Sequence, residues 1–284
     1  MPAFTNFATL SYNGGTTNSN IVTGEFLEIL TASKTAVVNT YSAGDSVDFV
    51  LSLVNSGTTQ LTDITVTDDL GGYLLDENTT VYPLDYREGS ARLYINGVLQ
   101  PAPALTEGPP LVFTGITIPA GGNAILIYEA AITGFAPLSD GGEITNTADI
   151  TGGGLAAPLS ANATITPESR ANLTVSKAVC PPTVSENGTL TYTFVIQNSG
   201  NTDAVTTDNV VLTDTFDPIL DPITVTYNSA IWTEGTQYTY DETTGLFSTI
   251  PGQITVPAAT YVQNEDGVYV TSPGTATIVI TGTV

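Results

Sequence analysis

The segment LTASKTAV at residues 30–37 returns as LTVSKAVC at 173–180, and VLSLVNSG at 50–57 returns as TFVIQNSG at 193–200. Both pairs are separated by the same distance: 177 − 34 = 143 for the lysines and 198 − 55 = 143 for the asparagines. TVTDDL then answers to VLTDTF, with Asp68 on Asp214 after a small insertion, and GGNAILIYEAAI (121–132) answers to PGTATIVITGTV (273–284). An internal repeat of this period is one structural unit written twice, so the chain must fold as two similar domains. At 284 residues each copy is large enough to bury a core of its own.

The repeated runs are strands. SVDFVLSLVN, TDITVTD, AILIYEAAIT, LTYTFVIQN and TATIVITGTV alternate apolar with polar residues at period two and are rich in Val, Ile, Thr and Tyr. Turn residues punctuate them, as in NSGTT, PAGGN and NSGNTD. Many short strands with such turns predict an all-β chain of tandem antiparallel Ig-like β-sandwiches.

The repeat is cut out of phase. After residue 132 the first copy continues through EITNTADITGGG and a polar linker, whereas the second copy stops 14 residues short of a counterpart of Asn146. The missing phrase stands at the other end: FTNFATLSYNGG aligns with ITNTADITGGG, placing Asn6 on Asn146 and Ala8 on Ala148. The expected layout is a donor strand and linker over 1–24, a first sandwich over 25–154, and a second over 155–284 that lacks its final strand. A sandwich without an edge strand exposes ladder donors, acceptors and an apolar groove, which an extended segment of another molecule can fill. Residues 1–24 carry no charged side chain and present Phe4, Asn6, Ala8, Leu10 and Tyr12 on one face. Donation into the next copy does not close on itself, so it builds an open filament. The alternatives are a strand that folds back into its own second copy, and a disordered leader.

Composition removes most other functions. There are 28 acidic and 5 basic residues, a net charge of −23, which repels nucleic acid and anionic membrane. With no histidine and one cysteine (Cys180), a disulfide framework, a Cys/His zinc site, a Ser-His-Asp triad and a Cys-His dyad are all excluded within one chain. Cys180 is expected as a small buried residue. NEDG and DTFDPILD lack the ligand spacing of an EF-hand, and no metal or cofactor is expected. No apolar run reaches the length of a membrane span, and no secretion leader is visible, so the export route to an extracellular position on a cell or spore surface is open.

The lysines carry the chemistry. There are two, Lys34 and Lys177, at equivalent repeat positions. Strand parity puts Lys34 with Leu30 and Ala32, Lys177 with Leu173 and Val175, Asp68 with Ile64 and Val66, Asp214 with Val210 and Leu212, and Asn146 with Ile144, Ala148 and Ile150. All of these faces point inward. Lysine and aspartate are costly to bury singly. A desolvated lysine becomes a neutral nucleophile, and a protonated aspartic acid can polarise an Asn carboxamide and shuttle protons as ammonia leaves. The product is a Lys–Asn isopeptide cross-link. Asp63 and Asp208 are weaker alternative acids, because their parity differs between copies.

The order of LTVSKAV, NSGNTDA, VVLTDTF and ITNTADIT resembles that of the Ig-like "conserved repeat" domains of bacterial surface proteins, whose wider relatives include isopeptide-bonded pilins and adhesins of Gram-positive bacteria. The resemblance covers both copies. It implies an intramolecular bond between Lys34 and Asn146 with Asp68 as its acid. In the second copy Lys177 and Asp214 match but the asparagine is absent, which implies an intermolecular bond to Asn6 of a neighbouring subunit. The expected function is a filament subunit whose partner is itself. A monomeric surface stalk or adhesin module, binding a ligand through loops in 76–118 and 217–272, is the alternative. Beyond single-turnover self-cross-linking no enzyme is expected: a carboxylate-pair glycosidase has no recognisable cleft motif here.

Overall fold

Alternation at period two gives strands, and the computed structural model, which describes residues 3–25 and 29–284, is built almost wholly of them. The sole helical element among the described residues is a 3-10 turn at Thr206–Asp208, and no helix is long and apolar enough to cross a membrane. The all-β fold class holds. The chain divides into two compact units, Met1–Ala136 with Glu143–Thr166, and Pro137–Gly142 with Pro167–Val284.

The N-terminal arm is a hairpin. β1 (Ala3–Asn6) pairs with β4 (Val22–Glu25), and β2 (Thr9–Tyr12) pairs with β3 (Gly15–Asn18) across the two-residue Asn13-Gly14 turn. Gly14 takes a φ of 128°, which a residue with a Cβ rarely adopts. Residues 15–18 and 22–25, expected as linker, are therefore strand: their Thr and Val residues suit a pleated backbone. The arm buries almost nothing, and Phe4, Phe7, Leu10, Tyr12, Ile21 and Val22 are all exposed.

The first unit stacks two six-stranded sheets. Its strands are β5 (Leu30–Ala36), β6 (Thr40–Tyr41), β7 (Ser46–Asn55), β8 (Leu61–Asp68), the short β9 (Tyr73–Leu74) and β10 (Thr80–Val81), β11 (Leu84–Tyr86), β12 (Arg92–Ile95), β13 (Val98–Gln100), β14 (Ala104–Thr106), β15 (Leu111–Ile118), β16 (Asn123–Ile132), β17 (Ile144–Thr151) and β18 (Leu159–Pro167). One sheet runs β13-β12-β16-β7-β5, with β11 also on β16; the other runs β14-β15-β8-β17-β18-β6. Every second residue of β7, β16 and β17 is buried, so Phe49, Leu51, Leu126, Tyr128, Ala148 and Ile150 form the core between the sheets. The domain boundary lies past residue 166, not at 154. β18 pairs with β17 from Ile144↔Ile165 to Ile150↔Leu159 and buries Ala161, Ala163 and Ile165; the two alanines are small enough to leave the segment looking like a polar linker.

The second unit contains β19 (Leu173–Cys180), β20 (Thr189–Asn198), β21 (Thr213–Thr215), β22 (Ile223–Tyr227), β23 (Ala230–Trp232), β24 (Tyr238–Asp241), β25 (Leu246–Thr249), β26 (Thr260–Gln263), β27 (Tyr269–Ser272) and β28 (Gly274–Thr283). A five-stranded sheet, β19-β20-β28-β22-β23, faces a three-stranded one, β21-β25-β24. Its core is Tyr192, Phe194, Phe216, Phe247 and Ile278 with their neighbours. Cys180, expected buried, is exposed, because it ends the edge strand β19.

Both copies use the asparagine of NSG as a staple. Asn55 is fully buried; its Nδ2 donates to the carbonyls of Thr59 and Pro119, each at 2.9 Å, and its Oδ1 accepts from Gly57 N–H. Asn198 does the same with Thr202 and Gly200. Buried amides satisfied on both sides fix the loop that follows the strand.

Candidate functional site

In the first unit, two sheets each deliver two polar groups to one point of an apolar core. β5 and β16 flank β7, with Lys34 opposite Leu51 and Tyr128 opposite Phe49. In the facing sheet β8 and β17 are neighbours, with Asp68 opposite Ala148, so Asn146 is the next inward residue along β17. The four side chains meet. Lys34 Nζ donates to Asp68 Oδ2 at 2.6 Å, Tyr128 Oη donates to the same oxygen at 2.5 Å, and Asn146 Nδ2 donates to Tyr128 Oη at 3.0 Å. Asp68 Oδ1 accepts from the Leu70 N–H at 3.1 Å, while Asn146 Oδ1 is buried without a hydrogen-bond partner.

This cluster is dry. The side chains of Lys34 and Asp68 are 0% and 1% exposed. Aromatic faces wall it in: the ammonium lies 5.2 Å from the Phe49 ring centroid and 5.9 Å from that of Tyr128, and Tyr128 also packs on Phe113. Burial pulls the Lys34 pKa below its ordinary value, with the Asp68 charge and hydrogen bond opposing. Burial, reinforced by the Asp68 charge, pushes the Tyr128 phenol well above its ordinary value, so it stays a hydroxyl. Such a site can release a neutral amine next to an unsatisfied carboxamide, with an acid and a hydroxyl linking the two.

The second unit holds half of this arrangement. Lys177 on β19 donates to Asp214 on β21, and its Nζ lies 4.6 Å from the Tyr192 ring centroid, 5.5 Å from Phe194 and 5.6 Å from Phe216. Here the side chains are 41% and 19% exposed. β21 pairs with β25 alone among the described residues, whereas its counterpart β8 is bonded on both sides, to β15 and to β17. Asn6 stands on exposed β1, opposite Val22 of its own hairpin. The remaining residues of the expected donor face, Phe4, Ala8, Leu10 and Tyr12, are likewise exposed.

Tyr128 escaped sequence reasoning. It shares parity with Leu126 and Ala130 and reads as one more aromatic in an apolar strand. The repeat offered a signal: strand register puts Ile280 opposite Tyr192 where Tyr128 stands opposite Phe49, so the second copy carries its tyrosine on β20 and none at the Tyr128 position. The alternative acids lie elsewhere. Asp63 is exposed at a positive-φ bend of β8, and Asp208 accepts from the Val205 N–H at the 3-10 turn.

No protein-family model and no curated protein matches the chain. Among solved structures, it is similar to the major pilin subunit of Bacillus cereus (12% identity, 96% of this chain and 73% of that one, TM-score 0.37). The pilus backbone protein of Streptococcus pneumoniae matches at 12% identity over 86% of this chain and 56% of that one, with a TM-score of 0.33. The collagen-binding domain of a Staphylococcus aureus adhesin matches at 12% identity over 49% of this chain and 99% of its own, with a TM-score of 0.31.

Proposed function

We propose that this chain is a structural subunit of an extracellular filament, joined head to tail by its N-terminal arm and hardened by Lys–Asn isopeptide bonds. The observation that carries the reading is the contrast between the two sites. The same Lys–Asp pair is sealed beside an asparagine in the first unit, and stands half-open beside an unpaired strand edge in the second. An asparagine in the equivalent sequence context, Asn6, sits on an exposed arm.

The proposed chemistry uses these groups in turn. Lys34 passes a proton to Asp68 and becomes a neutral amine. Its Nζ attacks Asn146 Cγ, the Nζ–Cγ bond forms, and the Cγ–Nδ2 bond breaks to release ammonia. The amine gives up its second proton as the leaving nitrogen gains one, so the proton count balances. Asp68 and Tyr128 form the hydrogen-bonded path from the amine to that nitrogen. Holding the groups together in a water-free site replaces a bimolecular encounter with an intramolecular one. In the second unit Lys177, Asp214 and an incoming Asn6 would repeat the reaction between subunits.

A boiled denaturing gel with mass spectrometry of its bands tests this. The expected result is a ladder containing Asn6–Lys177 linked peptides, with the first unit also one ammonia lighter. A lone monomer band removes the intermolecular bond and leaves a surface module; a monomer at full mass removes both bonds.

A further inference from the structure

Resting on the reading that the arm is donated, we infer that the donor is a two-stranded hairpin and that the acceptor is the second sandwich of another copy. β1 and β2 take the place of β17, and β4 takes the place of β18.

The open edge is wider than one strand. In the first unit β8 is followed across its sheet by β17, β18 and β6; in the second, β21 has no strand on that side among the described residues. The side chains beneath report the missing cover. Leu30, Ile64 and Val66 are buried in the first unit, whereas their counterparts Leu173, Val210 and Leu212 are half-buried. One added strand would restore the β17 position and leave the outer part open.

The arm carries both strands. Asn6 matches Asn146 of β17, and the segment before Lys34 matches β18 and its continuation before Lys177. Val22 and Ile165 each stand twelve residues ahead of the lysine (34 − 22 and 177 − 165), with Thr23 on Thr166 and Glu25 on Glu168. The arm is already paired as β17 and β18 are, antiparallel, with Asn6 opposite Val22 where Asn146 is opposite Ala163. That register differs by two residues, and an even shift keeps each side chain on its face. Phe4 lies over Gly24 so closely that a Cβ there would sit 2.4 Å from the ring, so the hairpin is packed as a unit before it docks.

The order of elements says whose sandwich receives it. β18 belongs to the first unit, and the chain then passes directly to β19 of the second. By the same order, a hairpin that precedes β5 completes a unit ahead of the first, and on the proposed donation that unit is the second sandwich of a different copy.

Two substitutions in the full chain test this by sedimentation velocity: Phe4→Asp in the first strand and Val22→Asp in the second. Both sites are exposed on the arm and lie outside the two sandwich cores, so neither variant threatens the fold of the sandwiches. Each is expected to lower the polymerised fraction at least about tenfold, because each would bury a charge. If Phe4→Asp blocks assembly and Val22→Asp assembles like the parent, a single-strand donor is correct and the hairpin is refuted. If both assemble like the parent, donation itself fails. Amide hydrogen exchange adds an independent reading: residues 22–25 are expected to slow on assembly together with 4–12, and slowing confined to 4–12 overturns the hairpin.

Discussion

Replacing Asn146 with alanine removes the electrophile of the first site while leaving Lys34, Asp68 and Tyr128 bonded to one another. The cross-link would close a loop of 146 − 34 = 112 residues, and the entropy withdrawn from the unfolded chain by such a closure is worth about 4.8 kcal/mol at 25 °C on the disulfide relation. The first unit comprises roughly 160 residues, for which unfolding entropy near the midpoint is about 0.34 kcal/mol per degree. The expected fall in Tm is therefore about 14 °C. Differential scanning calorimetry of the full-length chain reads it, with intact mass establishing that the parent is one ammonia lighter in this unit and the variant is not. A parent at full mass refutes the cross-link. A parent with the mass deficit and a variant Tm within about 3 °C refutes the loop-entropy argument instead, since that difference is worth only about 1 kcal/mol.

Tyr128→Phe keeps the ring against Phe49 and Phe113 but removes the link between acid and amide; bond formation should slow about 10²-fold, followed as ammonia loss by intact mass after cell-free synthesis. In Asn146→Ala, Lys34 remains a free amine whose folded pKa lies below 10.5, so the folded state binds fewer protons than the unfolded chain between those two values. The destabilisation is fully present below the folded value and is relieved as pH rises through the window. Urea midpoints for this variant should climb as pH rises toward 10.5 relative to a Lys34→Met/Asn146→Ala control, and a flat difference refutes the sign. Asn55→Ala removes the Nδ2 donor shared by three carbonyls and the acceptor of one N–H, which should lower first-unit stability by about 2–4 kcal/mol in the same urea assay.

What the sequence made legible depended on contrast between neighbours. SVDFVLSLVN and AILIYEAAIT alternate large apolar residues with polar ones, and β7 and β16 follow that alternation closely. Parity also carried Lys34 and Asp68 to the same point, because a charge in an apolar series is conspicuous. β18 was hidden for the opposite reason: between Leu159 and Ile165 its inward residues are Ala161 and Ala163, too small to distinguish the strand from a Ser/Thr-rich linker. The arm's second half was hidden similarly, although Asn13-Gly14 is a strong hairpin signal, because Thr16, Thr17 and Asn18 show no apolar face. Tyr128 was invisible because nothing along one strand says which residue of the facing sheet its hydroxyl will meet.

The distribution of amines gives the two sites a common logic. A cross-linking lysine is selective only if no other amine competes for the carboxamide. Of the five basic residues in this chain three are arginines, whose guanidinium stays protonated and is no nucleophile. The only lysine amines are therefore those of Lys34 and Lys177, each already held by its own aspartate. Composition thus supplies a specificity that geometry alone would have to enforce across a polymer. The difference between the sites then sets an order. Lys34 is desolvated within its own unit, and Tyr128 links its carboxyl partner to the amide, so on the proposed mechanism its bond would depend only on folding. Lys177 is partly exposed, and Ile280 stands where Tyr128 would. On the proposed mechanism the amine at the joint therefore becomes reactive only when the joint is occupied, so each subunit would harden internally first and be sealed to its neighbour afterwards.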